Sequence, residues 1–452
     1  MHKNFSKAEA KAILMAMATA GLAAHAGLVV AQDVRSGAAA YGDWRSDAPG
    51  VMRKITPGDL PENHATPSTA NVSQVVAKPA GAQLKAMKGF TVAPLIGGFE
   101  GARVIRAAPN GDVFVSLSRP TGKIMIIRSG DNMGGAHAET FATDLKDPYG
   151  IAFYPPGPKP EWVYVAASGK IVRYPYQNGA LKPTGKPETV VSGLPVGGHW
   201  TRDIAFSNDG KIMYVAVGSG SNIAENMGDA PADIAAFEQS HAPGAAWGKE
   251  EWRAAVLTYD PNGKNRQIYA TGIRNCAGLT LQPVSGTVYC ATNERDLLGD
   301  DLPPDYVTSV AKGGFYGWPW YYIGQHEDTR PQGGRRPDLA SKVLLPDVLL
   351  QPHSAPLGMA FNPGGQFPSA WKGDAFVALH GSWNRALRTG YKVVRLPFKN
   401  GKATGEYQDF VVGFGVSDGD VWGRPVDVAF AADGSMLFSD DGNGVIYRVT
   451  YD

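Results

Sequence analysis

Cysteine is nearly missing from this chain: Cys276 and Cys290 are the only two. They form neither C-x-x-C nor C-x-x-C-H, which excludes covalently attached c-type haem. They bracket a strand–turn–strand, so in an oxidising compartment they would staple one hairpin; the alternative reading is two buried thiols. An excess of charge is missing as well. The 43 basic and 42 acidic residues leave a formal charge of +1, which gives no reason to expect a nucleic-acid partner. Beyond residue 30 no apolar run approaches membrane length. No G-x-G-x-x-G lies between a strand and a helix, which argues against a nicotinamide dehydrogenase.

What is abundant is glycine (56), proline (33) and tryptophan (10), the composition of many strands joined by tight turns rather than of a helical bundle. With 43% hydrophobic residues, a large core is affordable. The N-terminus reads as an export signal over 1–31. Lys3, Lys7 and Lys11 precede an apolar stretch from Ala12 to Val30, with small-residue cleavage sites at Val29-Val30-Ala31 or Ala24-His25-Ala26. An uncleaved anchor is the alternative. Either way the chain is expected in the periplasm or outside the cell, or attached to the outer side of the inner membrane. Residues 32–87 are rich in Pro, Ala, Ser and Asn without periodicity, and read as an irregular arm.

From 88 to 452 a unit recurs six times: an apolar strand, a turn of Pro, Asn, Asp and Gly, then a second apolar strand. Examples are Val104-Ile105 through Asn110-Gly111 to Val113-Phe114-Val115, and Asp427-Val428-Ala429-Phe430 through Asp433-Gly434 to Met436-Leu437-Phe438. A third and a fourth strand usually follow. The expected fold is all-β, a six-bladed β-propeller with four-stranded antiparallel blades. The early strand Phe90 to Ile96 has no blade before it and is expected to complete the last one.

Propeller topology places the connections from each outer strand to the next inner strand at one end of the channel. Those connections carry Arg103, Lys146, His199 with Arg202, Arg274 with Asn275, His353, and Arg424. So many converging cations point to a multiply anionic ligand. The alternative is pairing with neighbours such as Asp203 or Asp427. On the same face, Glu294, Asp296, Asp300 and Asp301 crowd one loop that lacks EF-hand spacing; it reads as a calcium site or as a solvated acidic loop. A second loop, His380-Gly381-Ser382-Trp383-Asn384-Arg385, mixes donors with an aromatic. His199 follows Gly197-Gly198 and is the candidate base for taking a hydroxyl proton near neutral pH.

Four segments, in order, carry a family likeness: Gly198-His199-Trp200-Thr201-Arg202-Asp203, Gly272-Ile273-Arg274-Asn275, Lys312 to Pro319, and His380 to Arg385. The chain resembles the glucose/sorbosone dehydrogenases that use pyrroloquinoline quinone (PQQ), with most likeness to the L-sorbosone branch, from Gly89 to the C-terminus. The resemblance implies PQQ and calcium as cofactors and His199 as the general base for hydride transfer from a sugar or sugar aldehyde. It implies an external electron acceptor, a quinone or a cytochrome. It implies cofactor contacts at Arg274, Asn275, His353, Arg385 and Arg424. The family's calcium segment is replaced by the acidic loop, which suggests Glu294 and Asp296 as metal ligands. Ala277 stands where a glutamine is expected, and Gly198 where an acidic residue precedes the histidine, so Asp203 is the candidate to orient the ring. Rival readings are a calcium-dependent lactonase, which would need acidic inner connections, and a non-catalytic binding propeller.

Overall fold

The computed structural model describes residues 33–129 and 135–452. The proposed signal segment lies outside the described residues. Short strands of five to six residues dominate, each bounded by the glycine- and proline-rich turns seen in the sequence. Five sheets have four antiparallel strands in chain order. The first contains Ala102–Ala107, Val113–Leu117, Lys123–Arg128 and His137–Ala142. The other four run over residues 151–192, 204–271, 276–352 and 425–451, the last closed by an N-terminal strand. The inner strands of successive sheets pack against one another in order, and that of the last packs on that of the first, giving a propeller arrangement.

Burial explains the sequence pattern. The second strands Val113–Leu117, Met213–Val217 and Ala375–Leu379 are buried at every residue, and Trp162–Ala167 at all but its first, because neighbouring blades cover both faces. That is why these strands read as unbroken apolar runs rather than alternating ones. Gly111 takes a φ of +92° at the first hairpin, a conformation that costs a residue with a Cβ more than it costs glycine.

Phe90–Gly97 pairs antiparallel with Val445–Tyr451, so the first strand of this region closes the last sheet, as expected from the sequence. A further sheet has seven strands. Its inner four, Pro356–Phe361, Ala375–Leu379, Lys392–Leu396 and Glu406–Val412, repeat the blade order. Three short strands of the arm, Val34–Arg35, Met52–Lys54 and Lys85–Ala86, extend its outer edge. The arm is thus built into the sheet by backbone pairing, despite its lack of periodicity.

Two elements differ from the sequence expectation. Pro304–Ser309 is the third strand of its blade, where the sequence marks none; proline is tolerated there because it starts the strand. A short helix, Ile234–His241, is inserted between the second and third strands of another blade, capped by Asp233 accepting from the Ala236 N–H.

Cys276 and Cys290 form a disulfide across the first two strands of their blade, which resolves the alternatives left by the sequence. The bridge closes a span of 14 residues, worth about 3 kcal/mol by loop closure. Replacing both cysteines by serine is expected to lower the unfolding free energy in urea by about that amount. A change below about 1 kcal/mol would show that the bridge adds nothing to the packed hairpin.

Candidate functional site

Residues from the inter-blade connections and from the loops between second and third strands meet around a cavity of about 280 Å³, near the lower limit for small-molecule sites. His199, Arg274 and His353 come from the connections, and Arg103 from the start of the inner strand Ala102–Ala107 rather than from the connection expected. Glu294, Asp296, His380, Trp383 and Asn384 come from the two loops singled out in the sequence.

His199 owes its place to the two glycines before it. Gly198 sits at φ +60°, and a Cβ there would lie 2.3 Å from the Gly220 carbonyl oxygen. The close approach lets the His199 N–H donate to the Ser219 carbonyl. The imidazole Nδ1 lies 2.9 Å from Ser219 Oγ and 3.0 Å from the Ser219 carbonyl oxygen. The Ser219 hydroxyl donates its own proton to the Ser221 carbonyl, so both Ser219 oxygens face the ring as acceptors. This network assigns the proton to Nδ1 and leaves the Nε2 lone pair without a protein partner among the described residues. Burial, then the positive charges of Arg274, Arg202 and Arg253, push the His199 pKa down to about 3. The ring is therefore a neutral base across the physiological range.

A testable consequence is that NMR titration of His199 in the cofactor-free protein shows no protonation until about pH 3, with the resonance moving upward in pKa in Arg274→Gln. A midpoint near 6.5 would contradict this environment. The same shift has a stability consequence. Between the ordinary histidine value and about 3, the unfolded chain binds a proton that the native state refuses, so this group makes stability fall as pH falls through that window.

The expected role of Asp203 is not borne out. Its carboxylate accepts from Arg106 and from the N–H groups of Ile204 and Leu279, and makes no contact with His199. Arg106 also binds Asp427, so both acids that sequence offered as partners for the cations of the connections serve this one partly buried arginine.

The cations are paired rather than bare. Arg103 and Arg424 share Asp441, and His380 Nε2 lies 3.0 Å from the same carboxylate. Burial opposes ionisation of Asp441, but His380 and the two guanidiniums overcome it and hold the carboxyl well below the usual range. Arg274 reaches Asp296 Oδ2 at 3.2 Å and donates to the Glu294 carbonyl. Arg202 is fully buried, donates to the carbonyls of Pro195, His199 and Thr201, and holds the His199 loop from behind. Lys146 is exposed. Donor capacity nonetheless remains: Arg103 Nε is buried without a partner, and the terminal nitrogens of Arg424, which lies beside Asp441 but not in the cavity lining, bond to no protein group among the described residues.

The other sequence-assigned residues fall into two groups. His353 lines the cavity with both nitrogens engaged, Nε2 by the Gly299 carbonyl and Nδ1 by Asn384 Nδ2. It serves the wall rather than proton transfer. Asn275 stands one layer behind, donating to Asn293 Oδ1, and Asn293 reaches the cavity. Arg385 lies outside the lining, turned toward Asp301 and the Tyr41 carbonyl of the arm.

Glu294 and Asp296 both line the cavity, but each carries a cation of its own, Arg295 and Arg274. Among the described residues no group of three or more acidic, histidine or cysteine side chains surrounds a single cation position. The donor set as it stands does not make a calcium cage.

Sequence reasoning missed Asp305, Asp441 and Ser219. Burial lifts Asp305 to about 7 even though it accepts from the N–H groups of Glu294 and Ala355. A single Asp within a strand, or a Ser after a glycine, gives no signal in one sequence; only the closed ring brings them to the site.

Comparison with known proteins gives the following likenesses. A family model described as TrAA12-like matches residues 84–303 and 337–452. A pyrroloquinoline quinone-dependent pyranose dehydrogenase of Coprinopsis cinerea is 25% identical over 428 residues, covering 81% of this chain and 54% of its own. An uncharacterized protein of Borreliella burgdorferi is 35% identical over 202 residues, 44% of this chain and 52% of that one. The chain thus spans about half the length of the curated relatives it matches. Among solved structures, the holo PQQ domain of the Coprinopsis cinerea pyranose dehydrogenase aligns with a TM-score of 0.65 at 22% identity, over 84% of this chain and 100% of that one. The calcium structure of a Trichoderma reesei enzyme of carbohydrate-active family AA12 aligns at 0.66 and 19% identity, over 84% and 99%. At these identities the structural likeness is one of fold.

Proposed function

The chain belongs to the TrAA12-like family, and from that premise we propose that it is a PQQ-dependent sugar dehydrogenase. The observation that carries the proposal is the neutral His199, proton fixed on Nδ1 by Ser219 and Nε2 unpartnered, in a cavity rimmed by arginine. Support also comes from the PQQ named for the pyranose dehydrogenase relative. We read the seven-stranded sheet as the sixth blade, on the strength of its inner four strands and their packing in the ring.

The residues present fit PQQ. A planar polycarboxylate needs cationic N–H donors, and the orphaned Arg103 Nε and the free ends of Arg424 are such donors, with Arg274 adding positive charge although its three nitrogens already serve Asn222, Glu294 and Asp296. Arg103 and Arg424 would hold it, Arg274 would add positive charge, and Trp383 stands in the wall of the same cavity. When bound, it supplies a two-electron acceptor for hydride. Calcium stays outside the proposal, because Glu294 and Asp296 are already neutralised by arginine.

His199 does the proton work. Its Nε2 accepts the proton of a sugar hydroxyl as the C–H bond breaks, and Ser219 steadies the imidazolium through Nδ1–H. Arg274 keeps the resting ring neutral and favours return of that proton to solvent. L-sorbosone or a related aldose is the proposed substrate, with electrons passing to an external quinone or cytochrome. An extracytoplasmic location, the periplasm or beyond, accords with the disulfide. The basic connections disfavour the lactonase reading. Fluorescence titration of the purified protein with PQQ is expected to show saturable binding near one equivalent; absence of binding at micromolar concentrations would remove the proposal.

A further inference from the structure

The family match begins at residue 84, yet the cavity wall depends on chain that precedes it. The Asn71 N–H donates to the Trp383 carbonyl at 2.7 Å, and its Nδ2 donates to the carbonyls of Ala386 and Asp418. Its own carbonyl and Oδ1 accept from the fully buried Arg388. Every polar atom of Asn71 is thereby used, four of the contacts reaching the loop that runs from residue 380 to 389. Two residues earlier the Thr69 N–H donates to Asp300 Oδ1, while Asp300 Oδ2 accepts from the Ala386 N–H. The arm, the acidic loop and the 380–389 loop are therefore one hydrogen-bonded unit.

That unit carries cavity groups. Trp383 and Asn384 line the cavity, and Asn384 Nδ2 bridges Asp296 Oδ1 and His353 Nδ1, two further lining residues. Trp383 is about half exposed, at 49%, so packing alone does not fix it. Its backbone is anchored by Asn71 on one side and by the Ser382–Thr389 pairing on the other. A glycine precedes the anchored segment: Gly381 lies at φ +102°, and a Cβ there would meet the Tyr391 ring at 2.2 Å. The base of the loop is tied from within, Arg388 and the Tyr391 hydroxyl both donating to the Ser382 carbonyl, whereas the carbonyls of Trp383 and Ala386 nearer its tip are held from outside by Asn71.

We propose that the arm is a strap for the site, with Asn71 as the positioning residue that sets where Trp383 and Asn384 stand. Asn71 touches neither His199 nor the cavity. Its effect is on the wall, and so on how firmly a planar ligand is held, while proton transfer by His199 is left intact.

The test uses the full chain with Asn71→Ala, and Asp300→Ala as an independent cut of the same unit. Amide exchange of peptides covering 380–389 in the cofactor-free protein is expected to speed by about tenfold or more in both variants, with exchange in the blade strands unchanged. Unaltered exchange in 380–389 would overturn the strap. The ligand part rests on the PQQ reading. There the dissociation constant for PQQ is expected to rise roughly tenfold, while kcat at saturating cofactor stays within about twofold. Faster exchange with no PQQ binding by either variant or the parent would sink the PQQ reading and leave the strap standing. A fall in kcat at saturation with unaltered exchange would overturn the positioning role.

Discussion

Replacing His199 by alanine is expected to lower kcat for sugar oxidation by about 10²- to 10⁴-fold, the usual worth of a positioned general base, with PQQ binding within about threefold of the parent. The separation of the two effects follows from geometry. His199 presents one nitrogen to Ser219 and one to the cavity, and it is the arginines that supply charge to an anionic ligand. Its loop is held independently, by Arg202 on the carbonyls at 195, 199 and 201 and by Arg253 on those at 196 and 197. Loss of the imidazole therefore removes a proton acceptor without dismantling the wall. Steady-state rates with an artificial acceptor, alongside PQQ titration, check both halves. A variant that keeps more than about a tenth of the parental kcat would assign the base elsewhere. His380 would then be the residue to examine, since its Nε2 is turned to Asp441 and its Nδ1 has no protein partner among the described residues.

The largest stability effect is expected at Asp409. Its carboxylate is fully buried on the outer strand Glu406–Val412, between Arg53 of the arm and Lys392 of the same sheet, both also fully buried. Asp47 completes the group by binding Arg53 and Lys392, so two cations face two acids with almost no water. Burial lifts Asp47 to about 6, held there against the pull of Lys392 and Arg53. Changing Asp409 to alanine leaves two buried cations with one acid and is expected to cost about 3–5 kcal/mol in urea unfolding. Removing Arg53 and Asp409 together in favour of apolar residues is expected to cost much less than the single change, because no charge is then stranded. A single-variant cost below about 1 kcal/mol would mean that water or rearrangement compensates the stranded cations.

The propeller arrangement was legible because each second strand is enclosed on both faces and each hairpin turn demands glycine or asparagine; both leave marks in a single sequence. The cavity was partly legible for the same reason. Ring topology sends the inter-blade connections to one end, so His199, Arg274 and His353 meet there as the spacing implied, joined by Arg103 from the start of an inner strand. What the sequence hides is pairing across blades. Arg424 and Arg103 belong to different blades, and Asp441 joins them only after the ring closes. Arg385 has the right neighbours in sequence, but Asp301 and the arm draw it away from the cavity. Asp203 lies four residues from His199, yet Arg106, from another blade, claims it. Pro304 hid a strand because proline at a first strand position and proline in a loop look alike without the partner strand.

The arm shows the opposite case. Its composition suggests irregular chain, and its strands are two or three residues long. Its order comes from partners far away in sequence: Asp409 for Arg53, Trp383 and Arg388 for Asn71. No local period encodes such contacts.

The most direct measurement of the central claim is dye-linked oxidation of L-sorbosone and a panel of aldoses by the cofactor-free protein, before and after addition of PQQ. The account predicts no turnover without PQQ, turnover with it, and its loss in His199→Ala at full PQQ occupancy. Saturable PQQ binding without oxidation of any sugar, or sugar oxidation indifferent to PQQ, would contradict it.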